Sequence, residues 1–250
     1  MLRIVSFDVK IENRDFYLGT AWRVLTPLIR IAVFWLVFGL GIRGGAPVDG
    51  FPFLVWLLAG LIPWFFINSA ISQGASSIRA KAGLILKVKY PISTVPVASV
   101  IKSIYEHGIM LVIMAAVFLV HGIRPSLHWL NLVYYMVFSF VFLVSLTMVF
   151  SVLVMLAQDL ANLINSLLNM LFFLTPILWT DDGLPGGVRR ILALNPVRYI
   201  VVGFRDSLLY KSDFFMDIQS ILFFWAQALC LLLAGCWMQK KYSRRFIDWM

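Results

Sequence analysis

Apolar residues in this chain gather into runs far longer than a soluble core needs, and short polar or basic stretches separate them. Six runs are long enough to be counted as membrane spans: residues 22–40, 51–74, 95–120, 129–156, 160–176 and 218–239. A crossing helix needs about 20 predominantly apolar residues for a hydrocarbon layer roughly 30 Å thick. Residues 50–78 contain no Asp, Glu, Lys or Arg, and residues 125–158 contain none either. The fourth run exceeds what a crossing needs, so tilt or an interfacial extension is expected there. Arg30 lies inside the first run, which also carries Pro27 near its start. Pro63 and Trp64 interrupt the second and predict a kink or a broken start. The pattern predicts an all-α membrane protein forming one domain over 1–250.

The segments between spans are as telling. In residues 1–20, Ile4, Phe7, Ile11 and Leu18 fall at helical spacing, while Val5, Phe7, Val9 and Ile11 alternate like a strand. Periodicity does not decide between these. A segment that mixes bases with apolar residues just before a span favours an interfacial amphipathic helix. Residues 76–91 carry Arg79, Lys81, Lys87 and Lys89 with no acid, which places this loop on the cytoplasmic side. The same loop presents Ile78, Leu84, Ile85 and Leu86. Two readings stand: an orientation signal resting on headgroups, or a docking element for a cytoplasmic partner.

Residues 177–216 combine Pro185, Pro196, Gly183, Gly186, Gly187 and Gly203 with apolar patches at 191–194 and 200–204 that are too short to cross. An external re-entrant helical hairpin fits them, provided protein or a wet cavity covers its broken backbone. The tail, 240–250, is basic, so both termini are expected on the cytoplasmic side.

Composition narrows the class. The chain is 61% hydrophobic and 13% charged, against about 45–50% and 25% in soluble domains. It is therefore integral to a membrane. The net charge of +9 sits in loops and tail, which suits topology and anionic lipid and argues against nucleic acid. Cys230 and Cys236 have no C-x-x-C spacing, and His107, His121 and His128 have no ligand-like spacing, so no metal site is expected. No G-x-x-x-x-G-K-[ST] occurs, so no nucleotide is expected in a P-loop of this chain. Asp181-Asp182-Gly183 departs at once from the pattern of membrane phosphotransferases. No catalytic residue is assigned. Lys102 and Glu106, one helical turn apart, read as an ion pair or as part of a proton relay with His107. Asn162, Asn165 and Asn169, with Ser166, make one polar stripe, either interhelical glue or the wall of a polar path.

Four stretches together resemble a known family. They are Leu18-Gly19-Thr20-Ala21-Trp22 with Thr26-Pro27-Leu28, Gly60-Leu61-Ile62-Pro63-Trp64-Phe65-Phe66, residues 82–91, and Asn195-Pro196 followed by Phe204-Arg205-Asp206. In order and spacing they are similar to permease subunits of ABC-2 type ABC transporters, in the branch exporting lipid-linked polymers such as teichoic acid and O-antigen. The resemblance covers nearly the whole chain. It implies a bacterial plasma-membrane flippase of two permease copies and two copies of a cytoplasmic ATPase, with ATP and Mg bound by the ATPase and no cofactor by this chain. The matching coupling residues are Ser77, Ile78, Arg79, Lys81, Gly83, Leu84, Ile85, Lys87, Lys89 and Tyr90. The implied path between permeases would be walled by Phe34, Phe38, Trp64, Asn165, Asn169, Phe172 and Phe173. Arg189, Arg190, Arg198 and Arg205 offer external steering for a phosphate-rich chain, or else pair with Asp206, Asp213 and Asp217. Wall teichoic acid is the first substrate expected, with O-antigen, capsular polysaccharide or a small lipid or drug as alternatives. An ion-driven carrier and a membrane-embedded transferase are the rivals from other classes.

Overall fold

The computed structural model describes residues 21–42, 44–87, 91–181, 183–211 and 217–242. The expected interfacial helix at 1–20 and the end of the tail lie outside them. Among the described residues the regular secondary structure is helical, apart from one isolated bridge between Val48 and Phe51.

Helix α1, Trp22–Phe34, continues as a wider π-helical stretch, Trp35–Ile42. Gly39 lets that stretch close on the next helix, since a Cβ there would lie 2.9 Å from the Phe53 ring. Helix α2, Phe53–Ala80, starts after Pro52 and runs unbroken through Pro63, so the expected broken start is not found. It is the axis of the bundle. Its neighbours are α4 (Thr94–Val120), α5 (Asn131–Leu156), α6 (Leu160–Leu174) and α8 (Pro196–Arg205). Between α2 and α4 comes the six-residue α3, Ala82–Lys87, and α7 spans Gly186–Ala193. Helix α9, Ile218–Tyr242, packs along α5.

Small residues explain why α2 is central. Ala59, Gly60, Ala70, Gly74 and Ala75 are all buried, and small side chains let helices approach closely where lipid is as apolar as leucine. A Cβ on Gly74 would lie 2.3 Å from Cγ2 of Thr147 on α5. Gly203 on α8 is tighter still, with its notional Cβ 2.0 Å from the Tyr135 ring.

Five helical segments are long and apolar enough to cross a membrane: Val24–Ile42, Phe53–Ala80, Thr94–Val120, Leu127–Leu156 and Ile218–Tyr242. The sixth expected span is not among them. Helix α6 has 15 residues, about 22 Å at 1.5 Å per residue. At Thr175 the backbone turns extended (ψ 137°), and Thr175, Pro176, Ile177 and Leu178 continue as a buried, non-helical strip. Pro176 cannot supply the amide that another turn would need.

Two short helices occupy the stretch expected to be a hairpin. Helix α7 is exposed, with charged Arg189 and Arg190. Helix α8 begins at Asn195-Pro196, where the Asn195 side chain accepts from the Val197 amide at 2.9 Å and Pro196 occupies the first turn. It buries Val197, Ile200, Val201 and Phe204 against the bundle and runs on through a π turn to Tyr210.

Candidate functional site

The basic loop is built differently from its sequence reading. Helix α2 extends to Ala80, so Ser77, Ile78 and Arg79 form its last turn instead of a free loop. Ser77 Oγ donates to the Gly74 carbonyl at 2.7 Å. Arg79 Nη2 donates to Gln158 Oε1 at 2.6 Å, tying this end to the turn before α6. The Lys81 amide closes the helix on the carbonyls of Ser77 and Ile78, and α3 follows directly. Ile78 and Ile85 are both buried, in a small cluster with Val95 and Val152. They anchor α3 to the bundle and are not offered outward. Gly83 is exposed, Leu84 and Lys87 belong to α3, and Lys89 and Tyr90 lie outside the described residues.

The aromatic candidates converge. Phe172 on α6 is buried and stands between Phe34 of α1 and Trp64 of α2, with ring centroids 5.4 and 5.5 Å away. Phe38 continues the row from Phe34 at 6.1 Å, and Phe173 adds an edge contact at 5.1 Å while standing 67% exposed. Three helices thus contribute to one aromatic row. The amide stripe runs down the open face of the same helix, where Asn162, Asn165, Ser166 and Asn169 are all exposed. Asn165 accepts from Ser72 Oγ of α2 at 2.8 Å, so one member does serve as interhelical glue. Asn169 faces outward with Phe173. Exposed Leu163, Leu167 and Met170 on α6 and Ile29, Val33, Leu36 and Leu40 on α1 extend this open face.

The four arginines expected to steer a solute divide. Arg189 and Arg190 are exposed. Arg198 forms an ion pair with Asp181, its Nε donating to Oδ2 at 3.1 Å. Partial burial opposes ionisation of Asp181, but the hydrogen bond and charge of Arg198, helped by Arg189, outweigh it and hold the carboxyl below its ordinary range. Arg205 is buried. Its Nη1 and Nη2 donate to the carbonyls of Pro176 (2.9 Å) and Ile177 (3.1 Å), and its guanidinium lies 3.7 Å over the Trp56 ring. Arg205 therefore satisfies the broken backbone after α6 and does not steer solutes.

Sequence reasoning missed the partners of this arginine. Gly60 makes room for it, since a Cβ there would lie 2.6 Å from Nη2. Trp56 Nε1 donates to the Tyr210 hydroxyl at 3.2 Å, and Tyr210 in turn donates to Asp49. Four segments are thereby clasped to the first half of α2. The available signal was Gly60 facing an Arg that had to be satisfied inside a membrane protein.

A second feature was also missed. A cavity of about 540 Å³ opens between α1, α2 and α4, lined by Arg30, Lys102, Glu106 and His107 together with polar residues of α2. Among the described residues no group of His, Cys, Asp and Glu is arranged to hold a metal.

Residues 6–209 match the protein family described as "ABC-2 type transporter". The O-antigen export system permease protein RfbA of Klebsiella pneumoniae is 26% identical over 246 residues, covering 98% of this chain and 92% of that protein. The Myxococcus xanthus protein of the same name is 26% identical over 207 residues, covering 82% and 78%. The polysialic acid transport protein KpsM of Escherichia coli is 23% identical over 203 residues, covering 81% and 78%.

Proposed function

The chain belongs to the ABC-2 type transporter family, and from that premise we propose that it is the membrane subunit of an exporter for a lipid-linked surface polysaccharide of the O-antigen or capsular class. The observation that carries this reading is the aromatic row of Phe38, Phe34, Phe172, Trp64 and Phe173 beside the exposed amides of α6. Flat rings suit the apolar faces of sugars, and Asn165 and Asn169 suit their hydroxyls. The relatives named for O-antigen and polysialic acid transport favour this substrate class over wall teichoic acid, the first expectation from sequence.

The open face of α6, with Leu36 and Leu40 beyond the end of α1, is then covered by a second copy, and the aromatic row lies along the seam. Ile29 and Val33 nearer the start of α1 stay open to lipid. A cytoplasmic ATPase, in two copies, binds ATP and Mg and docks on α3 through Gly83, Leu84 and the bases around them. Closure of that ATPase pushes α3. Because Ile78 and Ile85 tie α3 to α2 and α4, the push passes into the bundle. Helix α6 with its non-helical continuation makes the sixth crossing, in a bacterial plasma membrane with both termini inside. Arg189 and Arg190 meet the emerging chain outside.

Deleting the gene in its host tests this directly. Surface polysaccharide should disappear while glycan on its lipid carrier accumulates inside, and the wild-type gene should restore both. Unchanged surface polysaccharide in the deletion strain overturns the proposal.

A further inference from the structure

The cavity between α1, α2 and α4 lies apart from the aromatic row, and its lining is unlike a packing defect. Its volume of about 540 Å³ falls in the range of small-molecule sites, roughly 300–1,000 Å³. Among the described residues of the lining, Arg30 from α1 and Lys102 from α4 contribute two cations, against Glu106 as the one carboxylate. Arg30 has no hydrogen-bond or ion-pair partner among the described residues. A cation within a membrane span is costly unless it meets an anion, water or backbone oxygen. Ser69 and Gln73 of α2, linked by a 2.7 Å hydrogen bond, add polar groups to the wall.

His107 supplies an independent observation. It is 2% exposed and lines the cavity, yet neither Nδ1 nor Nε2 has a partner among the described residues. Its ring stacks flat on Phe66 at 4.7 Å and meets Phe204 edge-on at 5.9 Å, so its nitrogens are held in place. Buried polar atoms without partners are rare in folded proteins. A ligand oxygen would accept from whichever ring nitrogen carries the proton.

The surroundings select the kind of ligand. Trp22 and Arg30 are exposed where the cavity meets α1, and Ile29 and Val33 beside them present an apolar face. Lys102 is eight residues into α4, about 12 Å from the start of that helix. A polar, net-positive pocket beneath a lipid-facing helix at that depth suits an amphiphile with its head inside and its tail along α1. We propose that this cavity holds the anionic phosphate of a lipid headgroup drawn sideways from the adjoining leaflet. The lipid is either a bilayer phospholipid or the polyprenyl carrier of the cargo, and only the second source rests on the export reading.

Native mass spectrometry of the full chain in mild detergent, with any subunits that accompany it, tests this. The probes are dioleoylphosphatidylglycerol, dioleoylglycerol as the phosphate-free control, and a polyprenyl monophosphate. Wild-type protein should retain phosphatidylglycerol and not dioleoylglycerol. Arg30→Gln should weaken retention about fivefold, the worth of one nearby charge, and Arg30→Lys should keep it. His107→Phe, which preserves the stack on Phe66, should weaken retention without lowering the melting temperature. Equal retention of dioleoylglycerol, or wild-type retention in both Arg30→Gln and His107→Phe, overturns the proposal. Displacement of phosphatidylglycerol by polyprenyl phosphate assigns the site to the carrier, and failure to displace it assigns the site to the bilayer lipid. These measurements need no transport, so a failure of the export reading would leave their outcome intact.

Discussion

Helix α1 with its π-helical continuation and helix α2 are similarly apolar, but the protein uses them in opposite ways. Helix α2 is enclosed on nearly every side, while most of α1 is open. Hydropathy does not separate them because lipid accepts either. What separates them is the distribution of small and polar residues. Gly60 and Gly74 let neighbours reach the α2 backbone, and Ser72, Trp56 and Ser77 find hydrogen-bond partners. Helix α1 instead presents Ile29, Val33, Leu36 and Leu40, and its inner edge gives Phe34 and Phe38 to the aromatic row. The enclosed helix holds the fold together, and the open face of α1 and α6 is where this account places transport.

Mutations should divide along that line. The largest stability loss is expected at the clasp on α2. Arg205→Met leaves the Pro176 and Ile177 carbonyls unsatisfied, at about 1–3 kcal/mol each, and should lower the detergent melting temperature by several degrees. An unchanged melt would remove Arg205 from the framework. Next comes Gly203→Ala, which drives a methyl into the Tyr135 ring and should cost about 1–3 kcal/mol by overpacking. Phe173→Ala should behave in the opposite sense. At an exposed position the stability change should stay within about 0.5 kcal/mol, while export of surface polysaccharide falls. Parallel losses of stability and export there would erase the contrast between the two regions.

The smallest effect is pH-dependent. The folded state depresses the Asp181 carboxyl, so its contribution is present above the unfolded value, about 3.9, and is lost as pH falls through the lower folded value. Wild type should melt above Asp181→Asn at neutral pH, with the gap narrowing below about pH 4. A gap that persists in acid would point to packing in place of charge.

Much of the frame was legible in the sequence. Long apolar runs announced the crossing helices because only a helix hides so much backbone in lipid. Asn195-Pro196 announced the start of α8. The end of α2 was misjudged, because the basic residues after Gln73 read as a loop although Ser77 and Ile78 remain helical and Ile78 is buried. The length of α6 was misjudged for another reason. Apolar residues continue past Leu174, but Pro176 ends the helix while Arg205, distant in sequence, supplies the bonds that keep the strip buried. The five aromatic candidates were found from a resemblance, and their convergence on Phe172 is a tertiary fact that no local spacing contains. Arg205 reads as a steering charge from sequence because charge between spans looks solvated until the carbonyls it must satisfy are known.

Site-specific photo-crosslinking during export tests the transport face most directly. A benzophenone amino acid would replace Phe173 in one strain and Leu233, equally open but on α9, in another. Glycan-bearing adducts are expected at position 173 and none at 233. Adducts at 233 alone, or equally at both positions, would contradict that expectation.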